Sequence, residues 1–263
     1  MTYARLPGST LDKAFALPYY SYIFLIGGGG KTTLMFTMAH HLANAGWTVV
    51  STTSTKIICP TPEDAACVIV EEDIARAIGR LRTELSAARH VVLGKMLDQA
   101  SGKLHGYSAW ELDDLRRADV ADYLIVEADG SAGKSLKSHI DREPVVSAEA
   151  ELVIAVIGSD CIGATLTDAH VHRAKRFGKM ICKEFGTPIS VKDVAAIFFS
   201  PGGYLKSVSP LAQLVVFISK AGSRRATARQ LAAALWRADE YEYISRIVIG
   251  ELSGAKPFLE VRD

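Results

Sequence analysis

The stretch "YIFLIGGGGKTTLMF" covers residues 22–36, and how it is read decides the fold. An apolar run stops at four glycines, and a lysine, two threonines and further apolar residues follow. Four consecutive glycines lose more backbone entropy on ordering than any other four residues, so a folded chain keeps them where side chains would obstruct a close approach. A strand, a glycine loop and a helix in that order let backbone N–H groups and a helix N-terminus wrap a phosphate. Gly27, Gly28, Gly29 and Gly30 are the expected cradle. Lys31 reaches the terminal phosphates, Thr32 ligates Mg²⁺ and Thr33 completes the motif. Because Lys31 falls in a loop outside the core, Lys31→Ala is expected to weaken triphosphate binding without unfolding the chain.

Working outward, short apolar runs alternate with amphipathic helical stretches. Tyr22–Ile26, Thr48–Ser51, Val68–Val70, His90–Leu93, Tyr123–Val126, Leu152–Ile157, Leu214–Ile218 and Ser245–Ile249 read as strands. Continuous apolar strands separated by helices predict an α/β fold of three layers, like that of phosphate-loop NTPases, with a mainly parallel sheet covered on both faces. The first helix carries Leu34, Met38 and Leu42 on one stripe and is stopped by Gly46. With no internal repeat or linker, residues 1–263 read as a single nucleotide-binding domain with residues 1–20 at its periphery. Two loops follow strands, Thr52–Pro62 and Ala128–Pro144, and ligands bind outside the carboxyl ends of strands in open parallel sheets.

A phosphate loop needs an acidic partner for its metal, and "YLIVEADG" (123–130) supplies one at a strand end. Period-two alternation puts Glu127 and Asp129 on one face, so either carboxylate is a candidate Mg²⁺ ligand or orients a nucleophile, with Asp129 slightly favoured. In "STTSTK" (51–56) clustered hydroxyls, Thr53 among them, are candidates for the γ-phosphate or the metal's water shell, or form a hydrogen-bonded turn. Lys134, Lys137 and Arg142 either bind an acidic second substrate or belong to a solvated charged loop. In "HVHR" (170–173) two histidines two apart make a poor metal pair, while His172 or Arg173 is a candidate phosphate contact. "VVFISKAG" (215–222) stands where many phosphate-loop proteins carry the guanine-reading N-K-x-D. Here the four positions are Ser219, Lys220, Ala221 and Gly222, so the guanine-pairing carboxylate is absent and the base, of ATP or GTP, stays open.

Composition narrows the classes. At 263 residues, 49% hydrophobic and 22% charged, the chain can bury a full core. A net charge of +1 gives no support to polyanion binding driven by bulk charge, so no nucleic-acid partner is expected. Cys59, Cys67, Cys161 and Cys182 form no CxxC pair and read as small core residues in a reducing compartment. The apolar stretch Phe15–Ile26 has no small-residue cleavage site after it and is too short to span a bilayer, so a cytoplasmic protein with no membrane partner is expected.

The loop is not the standard one, since Leu25 stands six residues before Lys31 where a glycine is required. Its shortened form, G-x-x-G-K-T-T from Gly27 to Thr33, resembles the loop of Mur-type amide ligases. The wider set "LIGGGGKTT", "STTSTK", "VEADGSAGKSLKSHIDREPVV", "VIGSDCIG", "VHR" and "IVIGEL" resembles the YqeC family, accessory proteins of selenium-dependent molybdenum hydroxylases. That resemblance covers nearly the whole chain in order. It implies a cytoplasmic nucleotide-binding protein that helps mature or insert a selenium-containing molybdenum cofactor, with a molybdenum hydroxylase or its maturation proteins as partners. It implies Gly27–Thr33 as phosphate loop, Asp129 and Gly130 as acidic motif, Lys137, Glu143 and Pro144 as the following polar loop, and His172 with Arg173 as a later basic pair. The chain departs from the family pattern at Ser219 to Gly222, where relatives often read N-K-x-D, and at Ser138 and Ser147, where they tend to carry proline. The leading expectation is an Mg²⁺-dependent NTPase in hydroxylase maturation. A nucleotide-gated binding protein or chaperone without catalysis, and a Mur-like small-molecule kinase or ligase, are the alternatives.

Overall fold

The computed structural model describes residues 4–5, 11–252 and 258–262. Among the described residues fifteen strands and seven α-helices follow one another in chain order: β1 (Ala4–Arg5), α1 (Leu11–Phe15), β2 (Tyr22–Gly27), α2 (Lys31–Asn44), β3 (Val49–Thr53), β4 (Lys56–Ile58), β5 (Val68–Val70), α3 (Ile74–Ala87), β6 (His90–Gly94), β7 (Met96–Asp98), β8 (Lys103–His105), α4 (Ala109–Arg117), β9 (Tyr123–Glu127), β10 (Leu136–Lys137), β11 (Leu152–Gly158), β12 (Val171–His172), α5 (Ala174–Met180), α6 (Val191–Phe199), β13 (Gln213–Ser219), α7 (Arg225–Ala238), β14 (Ile244–Glu251) and β15 (Phe258–Arg262).

Ten strands form one sheet in the order β1-β15-β14-β13-β11-β2-β9-β3-β6-β5. The eight from β14 to β5 are mutually parallel, and they are the eight runs that read as strands in the sequence. Only β15, antiparallel to β14 and β1, breaks the pattern. Alternation along β2 shows why its apolar run is continuous. Tyr22, Phe24 and Ile26 enter one hydrophobic core, while Ile23 and Leu25 enter a second core on the other face. Helices α3, α4, α6 and α7 feed the first core, and α1 and α2 feed the second, which gives the three layers. Both faces of these parallel strands are thus covered, so their positions are mostly apolar.

Residues from Leu11 onward are part of this core: Ala14, Phe15 and Leu17 are fully buried, and the Phe15 ring meets Phe217 edge-on at 5.5 Å. α2 ends as expected. Gly46 has φ +98°, Trp47 N–H donates to Leu42 O at 3.1 Å and Gly46 N–H to Ala43 O at 3.0 Å, a paired closure that satisfies the last carbonyls.

The expected Thr52–Pro62 loop is shorter than its sequence suggests. Thr52 and Thr53 finish β3, and Lys56–Ile58 pairs with β8 in a small antiparallel sheet completed by β7. The cysteines also differ from expectation, since Cys161 is buried, Cys59 and Cys67 are half-buried and Cys182 is exposed. Among the described residues no helix is long and apolar enough to cross a membrane.

Candidate functional site

β2 and β9 are neighbours at the centre of the sheet, so the glycine loop after β2 and the acidic segment ending β9 emerge side by side at the carboxyl edge. α2 starts there with Gly30 as its N-cap, at φ +107°, with no side-chain cap and no acid in its first turn. A helix of 14 residues whose first amides meet no capping side chain presents partial positive charge to an anion.

The four glycines have two different jobs. A Cβ on Gly28 would meet Lys134 O at 2.5 Å, and one on Gly29 would meet the Gly158 nitrogen at 2.5 Å, so the chain itself makes the close approach there. Gly30 is exposed, and a Cβ on it would meet open space. The sequence expectation of one continuous cradle is therefore narrowed: Gly27 to Gly29 are buried by packing, and the open end of the loop is Gly30 with the start of α2. Gly28→Ala is expected to cost about 1–3 kcal/mol, because the obstruction is a backbone carbonyl that cannot rotate away. A chemical denaturation midpoint unchanged from wild type would show that the loop over Gly28 yields freely.

Lys31, Glu127 and Asp129 converge. The Lys31 ammonium donates to Gly27 O at 2.6 Å and lies 3.1 Å from Asp129 Oδ1 and 3.5 Å from Glu127 Oε1. It is 2% exposed, which overturns its expected place outside the core. Thr32 Oγ1 donates to Glu127 Oε2 at 2.6 Å. Asp129 is fully buried; its oxygens accept from Gly27 N–H at 3.0 and 2.9 Å, lie 3.2 Å from the Lys137 ammonium, and Oδ2 is 2.6 Å from His139 Nε2. β9 ends at Glu127, Ala128 N–H still donates to Leu25 O of β2 at 2.9 Å, and the two carboxylates converge on Lys31. Asp129 is saturated by protein donors, whereas Glu127 sits on the Thr32 hydroxyl.

The charges follow from these contacts. Burial pushes the Asp129 carboxyl up, but Lys31, His139 and Lys137 outweigh it and hold the group well below the usual carboxylate range. Burial dominates at Glu127 and raises it despite Lys31 and Thr32. For Lys31 burial disfavours the charge, and Asp129 with Glu127 more than restores it, so the ammonium is retained. Burial lowers the His139 imidazole more than Asp129 raises it. A neutral His139 then donates Nε2–H to the acceptor-only carboxylate, and its Nδ1 has no partner among the described residues.

Asp129 continues into a chain of ion pairs. Lys137, fully buried, donates to Gly130 O at 2.6 Å and Glu143 Oε2 at 2.9 Å, and Arg173 grips Glu143 through two bonds of 2.6 and 2.9 Å. Lys137 and Arg173, expected to contact a ligand, are engaged with protein carboxylates instead, and Ser135 to His139 is buried where a solvated loop was one expectation. Thr53 is likewise turned inward; its hydroxyl donates to Glu127 O at 2.7 Å and ties β3 to β9. His139 was not singled out as a site residue, and its only signal was the two-residue spacing from Lys137 in a segment otherwise read as loop.

The Glu143 carboxyl, pushed up by burial, is nevertheless brought down to about 2 by Arg173 and Lys137. A group depressed on folding stabilises fully above its unfolded value, here 4.5, and that contribution disappears as pH falls through about 2. The stability gap between wild type and Glu143→Gln is thus expected to stay constant above pH 5 and to close between pH 4.5 and 2, read as urea midpoints. A gap independent of pH would contradict the ion-pair assignment.

A cavity of about 900 Å³ is lined by Leu205, Lys206, Leu214, Tyr241 and Tyr243 at the amino ends of β13 and β14, the edge opposite the glycine loop. Charge and loop geometry gather at the carboxyl edge, where parallel sheets bind ligands, so the site is assigned there.

Comparison with known proteins identifies the family. A family profile described as "YqeC protein" matches residues 23–175, which include the glycine loop, both acids, Lys137, His139, Glu143 and Arg173. The chain is 29% identical over 198 residues, 75% of each sequence, to "Uncharacterized protein YqeC" of Escherichia coli (strain K12).

Proposed function

The chain belongs to the YqeC family, and from the geometry of its glycine loop we propose that it is a magnesium-dependent nucleoside triphosphatase acting in maturation of selenium-dependent molybdenum hydroxylases. The observation that carries the catalytic part is the convergence of Lys31, Thr32 and Glu127 at the bare N-terminus of α2. The hydroxylase connection is taken from the family resemblance.

In this reading the first amides of α2 and the Lys31 ammonium bind the β- and γ-phosphates. Lys31 exchanges Asp129 and Glu127 for phosphate oxygens and neutralises charge on the transferring group. Water attacks the γ-phosphorus as the β–γ bridging P–O bond breaks, giving nucleoside diphosphate and inorganic phosphate. The Thr32 hydroxyl and the Glu127 carboxylate are adjacent oxygen donors, a set that suits magnesium, which takes one or two protein ligands and completes its shell with water and phosphate. Magnesium bound there supplies charge neutralisation at the β- and γ-oxygens. Asp129 binds no phosphate; it holds Gly27, Lys137 and His139 in place and receives Lys31 when the loop is empty.

Purified protein with Mg²⁺ and ATP or GTP is expected to release phosphate, and chelation of the metal to stop it. No release with either nucleotide, alone or beside a molybdenum hydroxylase, would remove the catalytic reading. A second reading is favoured by the chain of ion pairs: if triphosphate draws Lys31 off Asp129, the change reaches Lys137, Glu143 and Arg173, so nucleotide gates the 130–144 segment for a partner. It predicts nucleotide-dependent partner binding even without turnover.

A further inference from the structure

The cavity of about 900 Å³ at the amino ends of β13 and β14 takes no part in the charged network, and its open chemistry is of one kind. Pro201, Leu205, Val208, Pro210 and Leu214 give it an apolar lining. Its hydroxyls are engaged with the chain itself. Ser200 Oγ donates to Ile197 O at 2.9 Å, Ser245 Oγ donates to Leu214 O at 2.8 Å, and Ser209 Oγ accepts from Leu211 N–H at 3.3 Å. Lys206, the cation on its wall, donates to Ile140 O at 3.1 Å and to Asp141 O.

The rim that stays open is Glu240-Tyr241-Glu242-Tyr243. Tyr241 is 76% exposed and Tyr243 52%, and their ring centroids stand 5.8 Å apart with the planes at 51°. Asp239 accepts from Tyr243 N–H at 2.9 Å and Ile244 N–H at 2.7 Å, so the rings are displayed by a tied turn. The Glu240 and Glu242 side chains are exposed, and neither carboxylate has a partner among the described residues. Exposed tyrosines over an apolar cavity are the usual anchors of a protein contact.

An occupant has to be apolar along its length, to offer acceptors to two phenol hydroxyls, and to carry positive charge at one end. A polyproline helix meets all three demands. It rises about 3.1 Å per residue, so prolines two apart stand about 6 Å apart, close to the spacing of the rings. Its backbone makes no internal hydrogen bonds, which leaves its carbonyls free for the phenols, and its preset shape loses little entropy on docking. A basic residue beside the prolines then meets Glu240 and Glu242.

We propose that this cavity is a docking groove for a proline-rich, basic segment of a partner protein, seated on Tyr241 and Tyr243. The inference is independent of the triphosphate reading of the glycine loop, and the failure of either leaves the other standing.

The test is fluorescence anisotropy with the labelled synthetic peptide RRPLPPLP and the purified full chain. Wild type is expected to bind it saturably in the micromolar range, and to ignore a version with alanine in place of every proline. Tyr241→Ala removes an exposed ring and leaves the core untouched, and is expected to weaken binding about 10-fold, the scale for truncating an interface tyrosine. Glu240→Lys combined with Glu242→Lys is expected to reject RRPLPPLP and to accept EEPLPPLP, an exchange of preference that a merely structural role would not produce. No saturable binding by wild type, equal binding of the alanine peptide, or an unchanged affinity in Tyr241→Ala would overturn the proposal. Sedimentation showing a wild-type dimer that Tyr241→Ala makes monomeric would assign the groove to a second copy of this chain and overturn it as well.

Discussion

Asp129→Ala is expected to lower the unfolding free energy by about 3–5 kcal/mol, a large share of the stability of an ordinary domain. Asp129 is fully buried and is the common partner of Lys31, Lys137, His139 and the Gly27 N–H. Removing it leaves the raised Glu127 as the carboxylate beside Lys31 and Glu143 as the one beside Lys137, and strands a buried backbone donor. Asp129→Asn keeps the shape yet recovers little, because its amide offers one acceptor and turns N–H donors toward other donors. Urea denaturation of both variants checks this. A loss under about 1 kcal/mol for the alanine variant would show that the lysines find other partners and that Asp129 is not the centre of the network.

Lys31→Ala is expected to have a double effect, since the lysine belongs both to the buried network and to the ligand site. Triphosphate affinity should fall at least about 100-fold, the scale for losing a desolvated charge at a phosphate. Stability should fall by about 3 kcal/mol, because buried Glu127 loses its cation and buried Asp129 keeps only Lys137 of its two lysines. The raised carboxyl of Glu127 gives this loss a signature: it takes up a proton more readily than an ordinary glutamate, so the variant should regain part of its stability as pH is lowered from 8 toward the raised range of that carboxyl. A variant as stable as wild type at pH 8 would contradict the closed geometry. Lys31→Met, which keeps the stem and packing, is the better vehicle for binding measurements.

Most of the sheet was legible because its physics is local. A parallel strand buried on both faces is apolar through its middle, and β2, β9, β11 and β13 say so in their own residues. The small antiparallel sheet was not legible, since strands such as Lys103–His105 and Met96–Asp98 are three residues long and partly polar. β15 was missed for a related reason: Glu260 and Arg262 interrupt its apolar pattern, and only the fold shows Glu260 buried against Arg229 at 2.9 to 3.1 Å.

At the site, residue types were readable and their division of labour was not. Lys31, Thr32, Glu127 and Asp129 were all named from spacing, but which acid meets Thr32 depends on how β2, α2 and β9 are packed together, which spacing alone does not give. Lys137 and His139 sit in a segment whose composition suggests solvent, and it is Asp129, ten residues before His139, that draws them inside. The four glycines illustrate the same limit. Their sequence announces a close approach, and the fold reveals that at Gly28 and Gly29 the approaching group is the chain's own backbone.

The most direct test of the account is titration calorimetry of the wild-type protein with Mg²⁺ and GTP or ATP, beside folded Lys31→Met. Saturable one-site binding by wild type that weakens at least about 100-fold in the variant is the predicted result. No binding by wild type, or equal binding by the variant, would contradict the assignment of the glycine loop and Lys31 to a triphosphate.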